Sequence, residues 1–185
     1  MKGIIFCLLE KMVVTNSGPD AWDRLVRQTP LKTVGGGFLA PATYPDEDLL
    51  ALVGTASAMT GQPVGALLRA FARFIFPELV RVSPMFAPSG MTAKRFLMSV
   101  DRVIHVEVRK LHPEANLPYF GYEDPASDRL VMLYRSPRQL CDLVAGFIDG
   151  TCEYFGEGIE QVHTMCARDG HPHCRFELLF TPGRT

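Results

Sequence analysis

The chain has no long apolar run. Its start is apolar only from Gly3 to Leu9 before Glu10 and Lys11 interrupt it, far too short for a membrane span and marginal for a secretory signal. A cytoplasmic protein is expected. Charge excess is missing as well: 19 lysines and arginines stand against 20 acidic residues, so the basic footprint of a nucleic-acid binder is absent. There is no Cys-x-x-Cys-His, which excludes a covalently attached c-type haem, and no Cys-x-x-Cys pair among the five cysteines. No nucleophile with its base is recognisable, and Gly35-Gly36-Gly37 follows no strand pattern of the kind a phosphate loop needs, so catalysis is not expected. Without a secretory signal, the cysteines point to reduced thiols, and to metal or redox chemistry before structural disulfides.

What is present is one sizeable core. At 185 residues and 47% hydrophobic content, the chain is too short for two comfortable domains. The stripe Ile4, Ile5, Leu8, Leu9, Met12, Val13 predicts a helix over 3–14. Gly18-Pro19 interrupts it, and Asp20 caps a second helix to about Gln28 with Trp22, Leu25 and Val26 inward. The Gly- and Pro-rich stretch 34–45 reads as a connection, and Asp46 opens a helix over Leu49, Leu50, Leu52 and Val53 that ends near Gly61. Residues 64–76 are densely apolar, with Arg69 and Arg73 the only charges; they read as a core helix or as the lining of an apolar pocket. Pro77, Pro84 and Pro88 predict an irregular segment before a helix from Thr92 to about Leu111. Its buried stripe is Phe96, Leu97, Val100, Ile104, Val108 and Leu111, with His105 at the edge. Residues 129–135 alternate as a strand, and a helix follows from Pro137 to about Phe155. Gly146 and Gly150 on that helix admit close approach of a flat ligand or of another backbone. Strands over 159–166 and 174–180 are joined at the turn signal Asp169-Gly170.

Tyr134, Ser136 and Arg138 fall at i, i+2 and i+4, so an extended chain projects them to one side. A phenol, a hydroxyl and a guanidinium together suit a ligand bearing carboxylates or phosphate. Ser136-Pro137 reads as an N-cap and first helical residue, which predicts a helix N-terminus beside the same ligand. This Tyr-x-Ser-x-Arg spacing resembles the haem-propionate motif of the H-NOX family, the haem domain of bacterial nitric-oxide sensors and soluble guanylate cyclase. His105, twenty-nine residues upstream on the predicted helix, stands where that family has its iron ligand. Pro118 and the opening Met1-Lys2-Gly3-Ile4-Ile5-Phe6 also match, and the resemblance runs from residue 1 to about 180. By itself His105 reads as a hydrogen-bonded core or boundary histidine. The resemblance makes it an axial haem ligand, a role that suits a neutral imidazole.

The resemblance implies an α+β fold, with a helical part over about 1–62 and a ligating part over about 63–185 that ends in an antiparallel sheet. One noncovalent b-type haem is enclosed, with Tyr134, Ser136 and Arg138 on its propionates and Ile5, Pro118 and Leu143 shaping the pocket. Family members that bind oxygen stably carry a tyrosine nine residues after the motif tyrosine; here that residue is Leu143. NO and CO binding with little stable O₂ complex is therefore expected. As the resemblance has it, NO loosens the bond between iron and His105, and the freed helix signals to a partner such as a histidine kinase or a cyclic-di-GMP enzyme.

The C-terminal quarter holds a second constellation. A hairpin brings Cys166 and Cys174 together, and His163 and Cys141 complete three thiolates and an imidazole, a set suited to closed tetrahedral zinc. Some stand-alone bacterial members of the resembled family carry Cys, His, Cys, Cys in this order. On a regular strand His163 and Cys166 face opposite ways, so the site needs a bulge. Free thiols, a pair that forms a disulfide on oxidation, and His171 or His173 in place of His163 remain open. A haem and zinc redox sensor acting through these thiols is the alternative function. Cys7 and Cys152 read as small buried apolar residues.

Overall fold

Residues 1–183 are described by the computed structural model, and their course follows from which faces are apolar. The first helix, α1 (Gly3–Ser17), buries Phe6, Leu8 and Leu9. Next comes α2 (Pro19–Gln28), which buries Trp22 and Leu25; its proline occupies the first turn, where a missing N–H breaks no helical bond. Asp20 lies in that turn, and Gly18 rather than Asp20 is the capping residue. Phe38 stacks on Phe6 and meets Trp22 and Tyr44 edge-on, which closes this helical core. In α3 (Asp46–Thr60) three acidic residues occupy the first turn, facing the positive end of the helix dipole, and Gly61 ends the helix in the left-handed region.

The fourth helix, α4 (Val64–Val82), runs past the point where proline was expected to stop it. Pro77 lies exposed inside the helix. An internal proline costs about 3 kcal/mol, and burial of Phe76 and Val80 beside it offsets that cost. Leu68, Phe71 and Ile75 of α4 belong to the helical core, whereas Phe76 and Val80 form a separate cluster with Phe96. The irregular segment is therefore shorter than proline content suggested. Thr92 caps α5 (Ala93–Ser99) by accepting the Arg95 N–H at 3.3 Å. The helix expected over 92–111 is interrupted at Val100–Ile104 by a wider π turn before α6 (His105–Leu111).

Four antiparallel strands follow, in the order β1-β2-β4-β3. Of these, β1 (Tyr119–Ala126) was not legible as a strand. Five of its eight residues are exposed, so it carries no apolar alternation. It pairs with β2 (Arg129–Arg135), β2 pairs with β4 (Cys174–Thr181), and β4 pairs with β3 (Gly158–Met165). Between β2 and β3 runs α7 (Cys141–Phe155), which buries Val144, Ile148 and Cys152 in the same cluster as Leu130, Met132, Phe176 and Leu178 of the sheet. The other side of α7 meets α4. A Cβ added at Gly146 would lie 2.7 Å from Arg69 Cα, and one at Gly150 would lie 3.0 Å from Arg73 Cα, so these glycines admit a neighbouring helix. Arg69 pairs with Asp149 at 2.6 Å, and Arg73 pairs with Glu153 one turn further along.

Candidate functional site

His105 opens α6 at the end of the π turn. Its amide N–H donates to Val100 O, five residues back, where an α-helix would use the fourth. The imidazole is mostly buried, with its Nδ1 3.4 Å from Asp101 Oδ1. Burial lowers its pKa below the ordinary histidine value, and Asp101 offsets this only in part, so the ring is neutral at pH 7. A neutral imidazole with one nitrogen tied to a carboxylate is a suitable metal ligand. The ring of Phe120 packs 5.8 Å from it, and that ring lies 5.5 Å from Tyr134.

Tyr134, Ser136 and Arg138 come together, but not as the start of a helix. The strand β2 ends at Arg135, and Ser136 begins a turn in which its carbonyl accepts the Gln139 N–H at 3.2 Å. Gln139 takes a φ of 49°, and α7 begins only at Cys141, with Leu140 as its cap. The expected helix N-terminus at Ser136-Pro137 is therefore absent. The Ser136 hydroxyl still accepts the Arg138 N–H at 3.2 Å as a capping side chain does, but the left-handed backbone at Gln139 stops the turn from continuing as a helix. Tyr134 is buried, its hydroxyl accepts the Leu140 N–H at 3.2 Å, and burial raises its pKa. Arg138 reaches Asp46 Oδ2 through Nε at 2.6 Å and donates to the Asn116 carbonyl.

Ile5 and Leu143 are half-buried and pack against the helical core from α1 and α7, and Pro118 is half-buried just before β1. The donor set fits a haem on this geometry. One neutral imidazole beside a carboxylate would serve a metal, while a phenol, a hydroxyl and a guanidinium within one five-residue segment would serve a pair of carboxylates, the guanidinium being held meanwhile by Asp46 and the Asn116 carbonyl.

The second constellation also forms. The ligand atoms of Cys141, His163, Cys166 and Cys174 all lie within 4.8 Å of one another. Cys141 Sγ and Cys166 Sγ are 3.8 Å apart; tetrahedral zinc with bonds of about 2.3 Å requires about 3.8 Å. The required bulge is present, because the β3–β4 register shifts between His163 and Met165. His163 stacks on Phe176 at 4.3 Å, which orients its ring. The Ala167 N–H donates to Cys174 Sγ at 3.3 Å, and the Cys166 carbonyl accepts from Asp169 and His171 in a tight turn. Arg168, bound to Asp142 at 2.9 Å, lies against Cys166. Burial pushes the Cys141 thiol up to about 12, whereas hydrogen bonds from the Arg168 backbone and side chain outweigh burial at Cys166 and lower it. His171 is exposed, and His173 borders a small recess with Tyr119, Leu133 and Arg135, so neither joins the cluster.

Two residues at the site were missed by sequence reasoning. Asp46 was read only as a helix opener, and its contact with Arg138 spans 92 residues, which no local pattern reveals. Asp101 was legible in principle, four residues before His105 on one helix face. In addition, the buried hydroxyl of Tyr122 has no hydrogen-bond partner among the described residues.

Comparison with known proteins gives a consistent result. A family model described as haem-NO-binding matches residues 2–163. Among solved structures, an H-NOX protein from S. oneidensis in the Fe(II)NO ligation state is 28% identical, with a TM-score of 0.90 over 98% of this chain and 99% of that one. The Fe(II) unliganded H-NOX protein from K. algicida is 28% identical, with a TM-score of 0.90 over 100% of this chain and 99% of that one. The IWP-051-bound H-NOX from Shewanella woodyi in the Fe(II)CO ligation state is 29% identical, with a TM-score of 0.84 over 100% and 97% of the two chains.

Proposed function

Because the chain belongs to the haem-NO-binding family, a haem-binding sensor fold and not a catalytic one, we propose that it is a haem-based nitric oxide sensor with His105 as the iron ligand. The observation that carries this reading is the neutral, anchored imidazole at the end of a π turn. The haem, when bound, supplies a ferrous iron that takes diatomic gases such as NO and CO. Tyr134, Ser136 and Arg138 hold its propionates, and Ile5 and Pro118 shape its surroundings. Leu143 offers no hydrogen bond, so it gives no support to bound O₂, and NO and CO are the ligands favoured.

His105 also tethers its helix. Among the described residues, neither the π turn nor α6 contributes a fully buried residue to a core; Val100 and Ile104 are only partly buried. An element held so lightly by packing has arrangements of similar energy, and release of the imidazole biases the choice between them. The shifted surface is read by a partner protein, with a histidine kinase or a cyclic-di-GMP enzyme the class we favour. Dithionite-reduced protein is expected to show a Soret band that NO and CO shift and that air leaves in place, and His105→Gly is expected to change the band. A lasting oxy complex in air would overturn the ligand preference. No Soret band even after hemin addition would overturn the haem assignment.

A second reading rests on the cysteine cluster, whose four ligand atoms converge in a set that closes a tetrahedral metal site. There Cys141, His163, Cys166 and Cys174 hold zinc, and thiol oxidation with metal release carries an output. Untagged protein is expected to contain one zinc per chain, released by peroxide. Metal-free protein as purified would leave the thiol pair alone to carry that reading.

A further inference from the structure

We propose that Asp101 is the positioning residue of the iron ligand: its carboxylate holds the Nδ1 side of His105 and ties that ligand to the edge strand β1. The inference rests on the haem reading of His105. Asp101 Oδ1 lies 3.4 Å from His105 Nδ1, and the same oxygen accepts the Phe120 N–H at 3.5 Å. One carboxylate oxygen thus serves the ligand and the strand together. The side chains of His105 and Asp101 are only 12% and 23% exposed, which separates this i, i+4 pair from the solvated pairs that contribute little on helix surfaces.

The chemistry follows from the acceptor. A carboxylate at Nδ1 keeps the proton on that nitrogen and leaves the Nε2 lone pair for the metal, so tautomer and ring direction are set together. Its negative charge draws the Nδ1 proton and makes Nε2 a stronger donor, which tightens the bond to iron and favours the ferric state. Asp101 therefore sets how readily His105 is released. Because the same oxygen holds Phe120, a shift of His105 is passed to β1, and from the Phe120 ring to Tyr134. The preceding π turn carries the Asp101 backbone, so a change in that turn moves the acceptor and the ligand as one piece.

The test uses the haem-loaded full chain, compared with Asp101→Asn, which keeps an acceptor but removes the charge, and with Asp101→Ala, which removes both. The iron–histidine stretching frequency of the ferrous protein is expected to fall in both variants, further in Asp101→Ala. The ferric/ferrous midpoint potential is expected to rise in the same order. Loss of structure alone would not produce that graded pair of shifts at full haem content. Unchanged frequency and potential in both variants would overturn the proposal. If the wild-type protein lacks an iron–histidine band, or His105→Gly keeps it, the ligand assignment itself fails and this inference falls with it. Should the variants not take up haem, the wild-type CO complex decides by NMR. A slowly exchanging, downfield His105 ring N–H supports the proposal, and a rapidly exchanging one overturns it.

Discussion

Asp48 shows how far one side chain can organise its surroundings. It is buried, and its carboxylate accepts from the N–H groups of Lys32 and Thr33 and from the Thr33 hydroxyl, at 2.7, 3.0 and 2.5 Å. The chain leaving α2 is pinned to α3 by these bonds. Burial alone would raise the Asp48 pKa, but the hydrogen bonds outweigh it and the net shift is downward. Asp46 shifts the same way, through Arg138 and the N-terminal ammonium. A depressed carboxyl pKa contributes stability that is complete above the unfolded value of about 3.9 and is lost as pH falls through the folded value. Stability is therefore expected to decline more steeply below about pH 4 in the wild type than in Asp48→Asn, as urea unfolding at several pH values would read. Asp48→Ala is expected to lose about 3 kcal/mol at pH 7 by leaving its donors unpaired. Nothing local in the sequence marked this aspartate, because its partners lie fifteen and sixteen residues away.

The helices were legible from their apolar stripes, and where they fail to match expectation the reason is tertiary. Proline chemistry argued for a stop at Pro77, yet α4 continues because α7 and α5 give its last turns something to pack on: Phe76 meets Phe96 at 5.1 Å and Phe147 at 5.6 Å. The exposed ring contributes nothing to that packing, so Pro77→Ala is expected to raise stability by about 2 kcal/mol, read as a higher melting temperature. A fall would mean that the proline itself stabilises the helix. Gly146 sits at the opposite extreme. Alanine is a better helix former by about 1 kcal/mol, but here its methyl would drive into the Arg69 backbone, and overpacking of that kind costs about 3 kcal/mol. Gly146→Ala is therefore expected to destabilise the protein, and an increase in melting temperature would show that α4 and α7 part easily. The π turn before His105 had no sequence signal at all, since its residues read equally well as α-helix.

Across the whole molecule, Asp46 and Arg138 join parts that the sequence presents far apart. Asp46 opens α3 in the helical half, and Arg138 follows β2 beside the propionate triad. Both side chains are partly exposed, so solvent screening holds their coupling to about 1 kcal/mol. A double-mutant cycle with Asp46→Asn and Arg138→Gln, followed by urea unfolding, is expected to return a coupling of that size. Zero coupling would leave the apolar packing of α4 on α1 and α3 as the main joint between the halves. That joint is substantial in its own right, since α4 supplies Leu68, Phe71 and Ile75 to one core and Phe76 and Val80 to another.

Local pattern in the sequence determined a good deal. Apolar periodicity located α1, α2, α3 and the start of α4, alternation located β2, and turn chemistry placed β3 and β4 in a hairpin with Cys166 and Cys174 flanking its turn. The resemblance carried by Tyr134, Ser136, Arg138 and His105 pointed to a haem protein, and the family match to residues 2–163 agrees with it. Such features depend on neighbours within a few residues, which a linear chain displays. Tertiary structure alone decided the rest. It settled that Gly146 and Gly150 face a helix, that His163 rather than His171 or His173 joins the cysteines, and that Asp46 and Asp101 hold Arg138 and His105. Each depends on atoms brought within a few ångströms by packing between elements, and the energy of that packing is absent from any short window of sequence.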